Sequence, residues 1–298
     1  MIQSHLGEFA ALLTAIFWTI TALAFEGATK RVGPFAVNLI RLAFALVFLS
    51  FLSYFSRGIA FPTDANGHMW LWLGLSGVIG FILGDYFLFA SYPIIGSRMA
   101  MLMMTLAPPI AAFFGWLALG ETMNYKGLAG MILVLSGIAI AIWSKPNGDK
   151  KMQLKFPVRG LIYGFIGALG QGGGIVLSKY GMGQYNAFAS TQIRVIFGII
   201  GFALLITFLK RWKNVSSTFQ NKPAIRGILL GSVFGPFLGV SFSLLAVQNT
   251  NTGVASTIMA IVPVLIIAPA VVLYKQKVSL PEILGAFLSV FGVAMFFI

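Results

Sequence analysis

The amino-acid sequence repeats itself, and this repeat limits the folds open to it more than any other feature. A shift of 153 residues pairs Gly7 with Gly160, Ala15 with Ala168, Phe35 with Phe188, Ile40 with Ile193, Arg41 with Arg194 and Phe44 with Phe197. A shift of 155 pairs Gly80 with Gly235, Gly84 with Gly239, Met104 with Met259, Pro108 with Pro263 and Gly137 with Gly292. The two-residue change of offset falls in a polar loop, where insertions are tolerated. Each half holds five apolar spans. Five is odd, so the second half enters a bilayer from the opposite face. Two inverted copies of one bundle is a construction that secondary transporters use for alternating access.

The bilayer itself follows from composition. The chain is 58% hydrophobic and 9% charged, against about 25% charged in soluble domains. Spans of about 20 apolar residues match a hydrocarbon core about 30 Å thick. The expected fold is an all-α membrane protein of ten transmembrane helices, at 6–29, 34–56, 69–91, 97–119, 125–143, 158–179, 187–209, 225–247, 253–274 and 281–298. They form a first five-helix repeat (1–143), a linker (144–157) with Pro, Gly and a charge run, and a second inverted repeat (158–298). The first apolar run, near Leu6, lacks a basic leader and a small-residue cleavage site, so it reads as a retained helix. Cysteine is absent, which excludes disulfides and thiolate chemistry.

A net charge of +13 would suggest nucleic acid in a soluble chain. Here the basic residues sit in short loops, and no nucleic-acid partner is expected. One alternate set of loops carries fifteen Lys and Arg; the other carries three, Arg57, Lys126 and Lys179. The positive-inside rule then puts the linker in the cytoplasm and both termini outside, in a cell (inner) membrane.

From Gly84 the first half reads GDYFLFASYPIIGSRMAMLMMTLAPPIAAFFGWLALGETMNYKGLAGMILVLSGIAIAIW, and the second half repeats it as VASTIMAIVPVLIIAPAVVLYKQKVSLPEILGAFLSVFGVAMFF. An Ala-rich span with a central Pro, a Gly-Glu turn and a Gly-spaced helix resembles the EamA repeat of the drug/metabolite transporter superfamily, over nearly the whole chain. The turn Gly120-Glu121 becomes Lys275-Gln276 in the second half, a departure from symmetry. The resemblance implies a ten-helix carrier that exports amino acids or other small metabolites, with the aromatic-amino-acid exporters as the nearest analogy.

Charges inside spans are informative because each is unfavourable in hydrocarbon unless it meets water or a partner. Arg41 lies about seven residues into the second span, about 11 Å from its end at 1.5 Å per residue. Glu26 closes the first span and Asp85 lies near the end of the third, on the same side. An ion pair of Arg41 with Asp85 or Glu26 is expected, a candidate gate; snorkelling to the headgroups is the alternative for the long Arg stem. In the second half Arg194 matches Arg41, while Lys179 replaces Glu26 and Val240 replaces Asp85. Arg194 is therefore a candidate for a structural salt bridge, with Glu8 in reach, or for a substrate carboxylate, which the planar guanidinium grips with two parallel donors.

Near mid-membrane, Thr14 and Trp18 stand four residues apart, and their repeat mates are Gly167 and Gln171. Thr14, Trp18, Gln171 and Arg194 are the candidate substrate-binding residues; Ser241, Ser243 and Gln248 would add weaker polar lining. Packing is the alternative for each. The stripe Gly227, Gly231, Gly235 and Gly239 reads as close helix packing. The cluster Gly170, Gly172, Gly173 and Gly174 reads either as packing or as a hinge, because each Gly surrenders about 1 kcal/mol of helix propensity. Pro108, Pro109, Pro263 and Pro269 interrupt the fourth and ninth spans as kinks or gating bends.

Enzymatic chemistry has no foothold. His5 and His68 lie outside the spans, the phosphate-binding pattern of nucleotide-driven pumps is missing, and the acids are too scattered for a metal or cofactor site. The reading is a secondary transporter exporting a small-molecule substrate by alternating access, with a proton or another ion as coupling partner. Rival readings are proton-coupled efflux of lipophilic cations, using Asp85 or Glu26, and a membrane-embedded lipid-acting enzyme or assembly factor.

Overall fold

A computed structural model describes residues 5–119, 125–144, 153–249, 255, 258–275 and 278–295. The turn at Gly120-Glu121 and Gln276 of its counterpart lie outside these residues. The protein is an all-helical, multi-pass membrane protein of ten spans in two inverted five-helix repeats. The strand among the described residues flanks the linker, where Trp143–Ser144 and Gln153–Leu154 pair as two-residue antiparallel strands.

The spans run into one another with little loop. Helix continues from Leu6 to Arg57 and is broken inside only at Gly33 (φ 79°, ψ 165°), followed by Pro34. Glycine alone takes that positive φ without strain, and the following proline keeps it out of the α region. The third and fourth spans turn the same way at Gly96 (φ 77°, ψ 156°). Further spans are Tyr125–Ile142, Val158–Met182 and Ala187–Phe208, and the tenth is Leu280–Met295. A short helix, Trp212–Thr218, caps the connection after the seventh.

The glycine cluster neither bends nor unwinds its helix. Val158–Met182 is one uninterrupted α-helix through Gly170–Gly174. The irregular segments lie elsewhere and are repeat mates: the third span widens to π-helix over Val78–Asp85, the eighth over Val233–Gly239. The fourth span tightens to a 3₁₀ turn at Met104–Leu106, where Ala107 N–H donates to the Met104 carbonyl just ahead of Pro108. Its mate in the ninth span is broken likewise, into Val262–Leu265 and Ile267–Tyr274. Proline cannot donate to the carbonyl four residues back, so the helix relaxes there.

Packing joins repeat-related spans. The fifth and tenth lie backbone to backbone: a Cβ on Gly137 would stand 2.6 Å from the Gly285 carbonyl oxygen, and one on Gly292 2.7 Å from the Val134 nitrogen. The second meets the seventh, where Leu42 lies against Gly198. The first packs on the eighth, and the sixth packs on the third as its counterpart. The stripe Gly227–Gly239 is the packing surface for the first span, with Ala24, Phe25, Thr21 and Trp18 opposite it in turn. Small residues at four-residue spacing let backbones approach this closely, which is what helices need where lipid supplies no hydrophobic drive.

Candidate functional site

A cavity of about 1200 Å³, counting its open mouth, lies between the repeats. Its wall is mostly apolar and takes residues from both halves, among them Trp18, Asp85 and Pro108 from the first and Gln171, Arg194 and Pro263 from the second. Three of the four residues expected to bind substrate line it. Thr14 does not: it is fully buried and its hydroxyl donates to the Ala10 carbonyl at 2.8 Å, a bond back along its own helix. Trp18 sits in a notch at Gly239, where a Cβ would come within 2.8 Å of the indole Nε1.

Asp85 organises the charged end of the cavity. Its Oδ2 accepts from Arg41 Nη2 at 2.5 Å, and its Oδ1 accepts from Gln171 Nε2, so one carboxylate ties the second, third and sixth spans together. Gln171 Nε2 also donates to the Gly80 carbonyl at 3.2 Å. That reach depends on glycine at the crossing of the third and sixth spans: a Cβ on Gly170 would lie 2.5 Å from the Gly84 Cα, and one on Gly174 3.0 Å from the Gly80 Cα. The four glycines bring two backbones into contact, and the glutamine amide arrives at the carboxylate.

Arg41 is 3% exposed and held through both Nε and Nη2. Besides Asp85 it donates from Nε to Asn38 Oδ1 at 3.0 Å, and its guanidinium lies 4.7, 5.5 and 5.6 Å from the ring centres of Phe89, Phe81 and Phe25. An aromatic cage of this kind stabilises a cation through the negative ring faces. Of the two expected partners, Glu26 belongs to another cluster. It accepts from Lys30 Nζ at 2.5 Å, and from the backbone N–H and hydroxyl of Ser97 at 3.0 and 2.5 Å, locking the first hairpin to the start of the fourth span.

Arg194 also lies against Phe81, its guanidinium 5.1 Å from the ring centre, and the Asp85 charge reaches it without direct contact. It is 4% exposed, and its Nε has no hydrogen-bond partner. Among the described residues no carboxylate forms an ion pair with it, so Glu8 does not take that role. Gly80 makes room for it: a Cβ there would lie 3.0 Å from Nη2.

Of the weaker candidates, Ser243 lines the cavity while its hydroxyl donates to the Val240 carbonyl. Ser241 is buried away from it. Gln248 holds the Gly183 and Tyr185 carbonyls at 3.4 and 2.9 Å, on the face opposite the linker. Sequence reasoning missed Thr21, whose buried hydroxyl at the cavity has no partner. Its position three residues after Trp18, on one helical face, was the available signal. It also missed Glu282. That carboxylate joins Arg98 at 2.5 Å, Lys155 of the linker and Ser279 at 2.9 Å, closing the linker face.

The whole chain has a family. The EamA-like transporter family model matches residues 5–143 and again 158–298, and the chain belongs to that family. It is therefore a membrane transporter of small molecules. No curated protein matches the sequence. A solved crystal structure aligns with 98% of this chain and 95% of its own, with a TM-score of 0.62 and 20% identity, a likeness of fold alone.

Proposed function

We propose that this transporter exports small metabolites, amino acids or related carboxylates, by alternating access, with substrate held between the two repeats. The observation that carries the reading is the cavity of about 1200 Å³ walled by both repeats, with Trp18, Gln171 and Arg194 converging on it. An indole face, an amide and a guanidinium together suit a ligand with an aromatic or apolar body and a carboxylate. Alternating exposure would come from the paired irregularities. Each repeat has one π-helical span and one span broken at a proline, and all four border the cavity. Such spans lack a full ladder of hydrogen bonds and bend more readily than the regular ones. The division into 1–143 and 158–298, joined by a cytoplasmic linker in the inner membrane, follows from the same reading.

The efflux of lipophilic cations fits the cavity less well. It would need a free carboxylate, and both oxygens of Asp85 are engaged. The test is flux: purified protein in proteoliposomes, offered a panel of radiolabelled amino acids and organic acids across imposed pH and sodium gradients. Saturable accumulation above protein-free vesicles supports carriage, and its dependence on a gradient identifies the coupling ion. No accumulation of any compound under either gradient would refute the transport of this substrate class.

A further inference from the structure

The cavity carries one more positive charge than negative. Among the described residues, the formally charged side chains on its wall are Arg41, Asp85 and Arg194. The first two satisfy each other at 2.5 Å, and Gln171 takes the remaining carboxylate oxygen. Among the described residues Arg194 has the face of Phe81, no acceptor for its Nε and no carboxylate in contact, although it is as buried as Arg41. Repeat symmetry makes the deficit specific. The Arg41–Asp85 pair of the first half corresponds to Arg194 and Val240 in the second, and Val240 lines the same cavity. The second half thus keeps the cation and replaces the acid with an apolar side chain.

A buried guanidinium with no carboxylate in contact, facing one acid already paired with another arginine, is unfavourable, and a ligand that supplies an anion recovers part of that free energy on binding. The surroundings limit what else the ligand can be. The wall is largely apolar and aromatic, which favours a hydrophobic body. Its one acid is already engaged, so a ligand ammonium would enter a region governed by two guanidiniums with no carboxylate to meet it.

We infer that the cavity selects organic monoanions, a carboxylate on an aromatic or apolar body, over zwitterions and cations of the same shape, with Arg194 as the partner of the carboxylate. The inference rests on the cavity being the substrate site proposed above, and it narrows that reading from amino acids and related compounds to those whose carboxylate is not internally compensated.

Three probes of shared skeleton separate the charge classes: 3-phenylpropionate (anion), phenylalanine (zwitterion) and phenethylamine (cation). Binding to the purified full-length protein is followed by calorimetry at neutral pH. The expected order places 3-phenylpropionate about tenfold or more tighter than the other two, by the strength of a charge-assisted pair. Arg194→Gln should abolish that advantage while leaving phenethylamine binding no weaker. Arg194→Lys, which keeps the charge and loses the planar fork, should fall between. Should the Gln variant not purify as a single species, the Lys variant still tests the assignment. Phenylalanine or phenethylamine bound as tightly as 3-phenylpropionate would overturn the inference. So would unchanged 3-phenylpropionate affinity in either variant, or no binding of it at millimolar concentration. Flux of the same probes in proteoliposomes separates this inference from the transport reading. Phenylalanine carried without 3-phenylpropionate leaves transport standing and defeats the charge selection. Selective 3-phenylpropionate binding without flux does the reverse.

Discussion

Asp85 is the residue on which most of the cavity's geometry turns, because it joins three spans through two oxygens. Removing one member of a buried pair leaves the other charged and unsolvated, which typically costs about 3–5 kcal/mol. Arg41→Ala and Asp85→Ala should each lower stability by about that amount, and the double variant should lose less than the sum. Denaturant unfolding of the purified proteins in detergent reads this directly; strict additivity would mean the contact carries no energy. Trp18→Ala should leave assembly intact and weaken aromatic ligands by about 1–3 kcal/mol, through lost area and stacking. That loss is measured by the calorimetry that compares the three probes. At this scale the sequence was legible where charge is rare. Arg41, Asp85 and Arg194 stand out because hydrocarbon tolerates few such groups. The choice between Asp85 and Glu26 was not legible, since both lie near the right depth and only helix rotation decides which faces the guanidinium. Thr14 shows the same limit: its hydroxyl satisfied itself on Ala10, as serine and threonine readily do within a helix.

Among the elements, the sixth span separates two roles that glycine plays. A Cβ on Gly170 would intrude on Gly84, whereas one on Gly173 would make ordinary contact with Ile79 at 3.5 Å and Phe114 at 3.9 Å. Gly170→Ala should therefore destabilise by about 1–3 kcal/mol as an overpacked crossing. Gly173→Ala should be neutral or stabilising by up to about 1 kcal/mol, since alanine is the better helix former. Melting temperatures by scanning fluorimetry distinguish them. Equal losses at both positions would return the cluster to a flexible hinge. The cluster was conspicuous in the sequence and its function was not, because composition is equally consistent with a loose helix and with a tight contact. The π-helical segments are harder still. They fall where Gly80 and Gly84 meet the backbone of the sixth span, and where Gly235 and Gly239 meet the Thr21 and Trp18 side chains of the first, and no local pattern announces i to i+5 bonding.

For the whole molecule, each face of the bundle carries its own polar closure. Glu26 and Glu282 gather basic and hydroxyl groups on the linker face. On the other face Asp64 accepts from Arg57, and from the Tyr185 hydroxyl at 2.7 Å, joining the two repeats. Desolvation, the largest single influence, would raise the Asp64 carboxyl, but the hydrogen bonds from Tyr185 and Arg57 together outweigh it and hold the group below its ordinary value. A lowered carboxylate contributes stability that is complete above its unfolded value and lost as the pH falls through its folded one. This contact should accordingly loosen in acid, and Asp64→Asn should remove the acid dependence. Crosslinking of cysteines placed at Thr63 and Gln184 across a pH series would record it, and a yield flat with pH would count against the contact. The absence of native cysteine leaves no background for a test of orientation. In intact cells, Thr63→Cys should react with an impermeant maleimide and Ser216→Cys should not. The opposite result would invert the proposed topology.

The sequence by itself determined the number of spans, their pairing by repeat and the buried arginines, because hydrocarbon thickness and the rarity of charge leave such features few alternatives. Only the tertiary structure decided which carboxylate meets Arg41, that the glycine cluster is a crossing, that Glu282 closes the linker face, and that the Arg194 Nε lacks an acceptor. Each of those depends on helix rotation and on contacts between residues from about forty to more than a hundred positions apart. A repeat shows which positions correspond, but the facing of one helix on another follows from how side chains fill the space between them.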